Sequence, residues 1–144
     1  IQYYEKNGLD IDTIVLLQPT SPFRKSFHII EAISKYDNYC EMLVSVKETK
    51  SNPYYVLMEE NENGWLVKSK DGNFSRRQDC PKVFELNGAI YIIDLKALKE
   101  KHFNQFTNIK KYVMNNESSL DIDNEIDWKI AEIYLSIPSE NENK

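Results

Sequence analysis

An α/β fold with a largely parallel sheet is the class the sequence predicts, and three observations predict it. The apolar runs at residues 13–17 and 42–46 are short and unbroken, as strands covered on both faces are. Between them apolar residues recur at helical spacing, which makes a strand, helix, strand crossover the simplest connection. The first run leads straight into the polar, proline-bearing loop of LLQPTSPFR, and ligands in such folds sit at the C-terminal ends of strands.

The elements follow in order. IQYYEKNG reads as the last turns of a helix closed by Gly8. Residues 13–17 form a strand whose C-terminal end presents Gln18. Ser26 is the expected N-cap of a helix whose apolar positions Phe27, Ile30, Ile33 and Ile29 fall at helical spacing and which ends near Tyr36. Residues 42–46 form the next strand. YYVLMEE, the turn NENG and WLVKS then make a hairpin, within an arm and substrate loop at residues 50–85 inserted into the core. Its Tyr54, Tyr55, Val56, Leu57 and Trp65 suit either a partner subunit or the parent domain. A strand over residues 83–93 is interrupted at Asn87 and Gly88, where a glycine marks a bulge or a close approach. A short helix at 95–103, an edge strand at 110–115 and a closing amphipathic helix at 124–135 complete the domain, and residues 138–144 are expected to be disordered.

Composition narrows the function classes. With 144 residues, 41% hydrophobic and 28% charged, the chain is one globular domain of ordinary make-up. A net charge of -5 argues against nucleic acid, which demands dense Lys and Arg patches. No apolar run approaches the roughly 20 residues needed to span a bilayer, so no membrane partner and a cytoplasmic location are expected. Cys40, Cys80, His28 and His102 are isolated and lack metal-ligand spacing.

Three clusters could carry chemistry. Gln18, Thr20, Ser21 and Arg24 offer hydrogen bonds and a positive charge to an oxygen-rich ligand, on a loop stiffened by Pro19 and Pro22; a strand-to-helix turn needs no ligand, however. Arg76, Arg77 and Gln78 form either a clamp for a carboxylate or phosphate or a solvated loop paired with local acids. In SLDIDNEIDWKIAE, Asp121 and Asp123 alternate about Ile122, so an extended backbone turns both carboxylates to one side, as a hard divalent cation requires. An EF-hand fails there because Ile126 stands where its sharp turn requires glycine. Asp123 or Asn124 caps the helix that follows, which leaves Asp121 without a structural reason. The four glycines, at 8, 64, 72 and 88, are not clustered, so these residues supply no glycine-rich phosphate loop.

LLQPTSPFR, RQDCPKVFELNGAIYI and SLDIDNEIDWKIAE, in this order across most of the chain, resemble the CMP-sialic acid synthetases, or acylneuraminate cytidylyltransferases. The resemblance implies a Rossmann-like nucleotidyltransferase fold of three layers, here its C-terminal portion without the glycine-rich CTP-binding segment, and a homodimer joined by the hairpin arm. It implies the joining of CTP to sialic acid or a related nine-carbon nonulosonic acid with Mg²⁺ and release of pyrophosphate, and little activity from this portion alone. It also implies that Gln18, Arg77 and Gln78 contact the acid sugar, that Asn87, Gly88 and Tyr91 line its pocket, and that Asp121 and Asp123 hold the metal. Glu85 stands where some members carry arginine and Phe84 where many carry tyrosine, which leaves the sugar open. The alternative expectation is a noncatalytic module that binds an acid sugar or metal and dimerises.

Overall fold

The computed structural model describes residues 1–137, so the expected disorder at 138–144 lies outside the described residues. It divides into two units, residues Ile1–Val46 with Leu86–Lys144, and Lys47–Glu85.

The first unit is a mixed sheet with helices. In chain order it carries α1 (Gln2–Lys6), β1 (Thr13–Leu16), α2 (Ser26–Lys35) and β2 (Met42–Glu48); β3 (Met58–Glu60) and β4 (Leu66–Lys68) belong to the second unit; β5 (Phe84–Asp94), α3 (Leu95–Glu100), β6 (Ile109–Val113) and α4 (Glu125–Ser136) return to the first. The sheet order is β1-β5-β2-β6. β2 and β6 are parallel, with Met42 opposite Ile109 and Val46 opposite Val113. β1 and β5 are antiparallel, with Thr13 opposite Asp94 and Leu16 opposite Tyr91. The crossover from β1 through α2 therefore does not join neighbouring strands, because β5 lies between β1 and β2.

Burial explains why β2 and β5 hold the centre. Met42, Leu43, Val44, Ser45 and Val46 are all buried, the pattern of a strand covered on both faces. Ala89, Ile90 and Ile92 of β5 meet Leu43, Tyr112, Met114 and Ala32 in one apolar cluster. Tyr112 is the polar exception: its hydroxyl donates to Glu31 Oε2 at 2.8 Å, and burial together with that bond pushes its pKa up to about 12.

Three local expectations change. β1 is an edge strand rather than a buried one, and Val15 and Leu16 are 40% and 48% exposed because, among the described residues, β5 alone pairs with it. In α2 the stripe Phe27, Ile30, Ile33 faces outward, whereas His28 and Ala32 are buried; small or polar residues let the helix approach the sheet. Lys25, not Ser26, stands at the N-cap, and its backbone N–H donates to His28 Nδ1 at 3.1 Å. That bond requires an unprotonated acceptor nitrogen, and burial lowers the His28 pKa in the same direction. α4 buries Ala131 while Ile126 and Ile133 remain exposed.

In the second unit β3 and β4 pair antiparallel, Met58 opposite Lys68 and Glu60 opposite Leu66. Asn61 Oδ1 accepts from the backbone of Asn63 and Trp65, both at 3.0 Å, and Gly64 has φ +80°, which together close the turn. Lys47 pairs with Glu85 at 3.4 Å and Lys82 with Glu48 at 2.9 Å at the unit's stem. Tyr55, Val56, Leu57, Trp65, Leu66 and Val67 are exposed. No helix among the described residues is long and apolar enough to cross a membrane.

Glu41 ties the start of β2 to two loops. Its carboxylate pairs with Lys101 and accepts from the backbone N–H groups of Thr107 (2.8 Å) and Asn108 (3.0 Å). The Lys101 ammonium, then these two amides, hold its pKa near 2 against an ordinary 4.5. A carboxylate depressed in the folded state contributes stability above its unfolded pKa, and that contribution is lost as pH falls through the folded value. Glu41→Gln should therefore lower stability at neutral pH and flatten the stability profile between pH 4.5 and 2, measured by urea unfolding across that range.

Candidate functional site

The site is built where β1 ends beside the middle of β5. After Leu16 the chain enters the proline-stiffened loop, and Arg24 folds that loop back: its Nη1 donates to the carbonyls of Gln18 (3.0 Å) and Ala89 (2.8 Å). A guanidinium suits this task because its fixed fork reaches two acceptors at once. Thr20 is held from the other side, its carbonyl accepting from the Ile122 N–H at 2.9 Å. The loop thus spans β5 and the segment that carries Asp121.

Gly88 is the floor on which these pieces meet. Its φ is +72°, a conformation that L side chains rarely adopt. A Cβ there would stand 2.1 Å from Gln18 Oε1 and 3.3 Å from Asp121 Oδ2. The backbone angle requires the glycine, and a side chain there would also displace the end of Gln18 from its place above the strand. Gln18, Gly88 and Asp121, separate in sequence, are therefore adjacent in space.

The polar atoms around this floor are not all satisfied. Asp121 Oδ1 and Ser21 Oγ are buried and lack a hydrogen-bond partner among the described residues, and Ser21 is 2% exposed. Buried polar groups are almost always paired, so the orphan oxygen of Asp121, the carboxylate beside Gly88, calls for an explanation such as a ligand or ion. Tyr91, three residues along β5, has its pKa raised by burial and then by the negative charge of Asp121, and its ring centroid lies 6.0 Å from that of Phe103. A half-buried carboxylate repels a phosphate, so the cradle suits a hydroxyl-rich ligand directly and a polyphosphate only with a cation between.

The remaining expected residues are placed as follows. Asp123 is exposed; the cap of α4 is Asn124, whose Oδ1 accepts from Ile126 (2.9 Å) and Asp127 (3.2 Å), while Asp127 Oδ2 accepts from the backbone of Asp123 and Asn124. Capping therefore does not occupy the Asp123 carboxylate. Among the described residues no group of three or more His, Cys, Asp or Glu could hold a metal, so a cation here would draw further ligands from elsewhere. Arg77 and Gln78 belong to the second unit, both exposed, with Arg77 Nη2 donating to the Lys50 carbonyl at 2.8 Å and Arg76 pairing with Asp79 at 3.1 Å. Asn87 is buried and its amide is engaged inside the protein. Arg24 and Ser21 were expected to face a ligand; Arg24 instead clamps the loop's own backbone and Ser21 is a buried orphan, while Ser45 escaped sequence reasoning.

Comparisons with known proteins extend this picture. The chain is 34% identical over 125 residues to the post-translational flagellin modification protein B of Campylobacter coli, which covers 86% of this chain and 53% of that protein. It is 38% identical over 95 residues, 66% of this chain and 40% of the relative, to the CMP-N,N'-diacetyllegionaminic acid synthase of Campylobacter jejuni subsp. jejuni serotype O:2. It is 35% identical over 124 residues, 85% of this chain and 29% of the relative, to the N-acylneuraminate cytidylyltransferase of Escherichia coli O18:K1:H7. The chain spans about half the length, or less, of these relatives. No protein-family model matches. In fold it is similar to the 4-diphosphocytidyl-2C-methyl-D-erythritol synthase of Anaerococcus prevotii, with TM-score 0.60 at 12% identity over 94% of this chain and 65% of that one. The fold is thus of the Rossmann-like nucleotidyltransferase kind.

Gly88→Ala should cost about 1–2 kcal/mol of stability from its left-handed backbone and push the Gln18 side chain off the floor. Chemical denaturation reads the first effect, and a crystal structure of the variant reads the second.

Proposed function

Because the chain belongs to the N-acylneuraminate cytidylyltransferase family, we propose that its protein transfers CMP from CTP to sialic acid or a related nonulosonic acid and releases pyrophosphate. The observation that carries this reading is the meeting of Gln18 and Asp121 over the bare Cα of Gly88, with Asp121 Oδ1 buried and unpartnered. A floor without a side chain lets a sugar approach the strand closely, and the orphan carboxylate oxygen suits a divalent cation.

In this reading Gln18 hydrogen-bonds the acid sugar at the end of β1, with Arg24 holding its backbone in place. Tyr91 walls the pocket along β5. Arg77 and Gln78 engage the sugar's carboxylate, which matches the fork of a guanidinium. Asp121 and Asp123 would hold Mg²⁺, which when bound offsets the charge of the triphosphate. The sugar's anomeric hydroxyl attacks the α-phosphorus, so catalysis rests on positioning and charge neutralisation rather than on a covalent group of the protein. Tyr55, Val56, Leu57 and Trp65 of the second unit supply an apolar face for a second copy of the chain. A cytoplasmic setting fits a CTP-consuming reaction.

The reaction is best followed as pyrophosphate release from CTP in the full-length protein, with Mg²⁺ and a panel of nonulosonic acids. Asp121→Asn should cut turnover about a hundredfold or more while the fold persists. Gln18→Ala should raise the KM for the sugar more than that for CTP. Wild-type turnover in a folded Asp121→Asn variant would remove the metal role, and silence of the wild-type protein across the panel would remove the activity.

A further inference from the structure

Beneath the Gly88 floor lies a chain of three buried polar side chains that the mechanism above does not use. Ser45 of β2, Asn87 of β5 and Ser119, in the turn before Asp121, are 0%, 4% and 4% exposed. Ser45 Oγ donates to Asn87 Oδ1 at 2.6 Å and accepts from the Ile90 N–H at 2.7 Å. Asn87 Oδ1 also accepts from the Ala89 N–H at 3.2 Å. A backbone N–H can only donate, so this contact fixes which end of the amide is oxygen. Asn87 Nδ2 then donates to Ser119 Oγ at 2.8 Å and turns its second hydrogen towards Met114 Sδ at 3.5 Å. Ser119 Oγ passes its own hydrogen to the Asn115 carbonyl at 2.6 Å.

The hydrogen-bonding capacity of Asn87 is fully used. Two bonds reach its oxygen and two leave its nitrogen, so contact with a ligand would strand a buried partner at a cost of about 1–3 kcal/mol. What the network does instead is structural and local. The left-handed turn at Gly88 is followed by two N–H groups, those of Ala89 and Ile90, which both bond to side chains of the network. On the far side the same amide grips Ser119, two residues before Asp121.

We propose that Asn87 is a positioning residue: through Ser45 and Ser119 it fixes the floor at Gly88 and the carboxylate of Asp121 relative to each other, and it does not touch the substrate. The link to a bound cation rests on the function proposed above; the link between the two segments does not. Fully satisfied buried networks hold one geometry because every alternative leaves a polar group unpaired.

The test uses the full-length protein with Ser119→Ala, which removes the acceptor from Asn87 Nδ2, and Ser119→Thr, which keeps a hydroxyl. Mn²⁺ alone is the metal probe, titrated by electron paramagnetic resonance, and amide chemical shifts report geometry without metal. Ser119→Ala should raise the Mn²⁺ Kd about tenfold, as loss of a group that orients a metal ligand does. Ser119→Thr should restore it, while Ser119→Ala, which strands the buried Asn87 Nδ2, should also lower the thermal midpoint without unfolding the protein at room temperature. In Ser119→Ala the amide shifts of Gly88, Ala89, Asp121 and Ile122 should all move. Shifts confined to the neighbours of residue 119, or an unchanged Kd in a protein that binds Mn²⁺, would overturn the proposal. A wild-type protein that binds no Mn²⁺ while the shifts still spread would end the metal reading and leave the positioning role standing.

Discussion

At Gly88 the central strand takes a left-handed backbone angle, and the surface this leaves bare is where the end of β1 and the segment before α4 come together. The strand holds this angle because its neighbours are built around it. Ser45 and Asn87 bond the two N–H groups that follow, and Arg24 bonds the Ala89 carbonyl from the loop. A β-bulge with Gly in the left-handed region is a known way to re-aim a strand beside a ligand site. In β5 the glycine leaves out a side chain and so makes room for Gln18 and Asp121.

The electrostatics follow from that room. Asp121 is half-buried above the glycine with one oxygen unpartnered, and its charge raises the pKa of Tyr91 after burial has done so. An unpaired buried carboxylate oxygen is costly unless something positive reaches it. Arg24, on the loop that follows β1, is spent on two carbonyls instead. The charge balance of the site is therefore open to a ligand.

Much of this was legible in the sequence, for reasons specific to each element. The unbroken apolar run of β2, the glycine inside β5 and the polar–apolar rhythm before α4 each carry their own local signal. Gln18, Gly88 and Asp121 stood out by their motifs and do meet. The rest depended on tertiary facts. Periodicity showed that Phe27, Ile30 and Ile33 form a stripe but not that His28 and Ala32 would face the sheet. An apolar run does not say whether neighbours cover it, so the edge position of β1 was hidden. The family resemblance implied that Asn87 lines the sugar pocket, and its four bonds show where its amide is used.

The claim that most needs testing is that the Gly88 floor is the reacting centre. The most direct measurement is paramagnetic line broadening in isotope-labelled full-length protein given Mn²⁺ and CTP. The account predicts that the amides of Asp121, Ile122, Gly88 and Gln18 broaden first and together. Broadening that begins at other residues and leaves Gly88 and Asp121 sharp would contradict it.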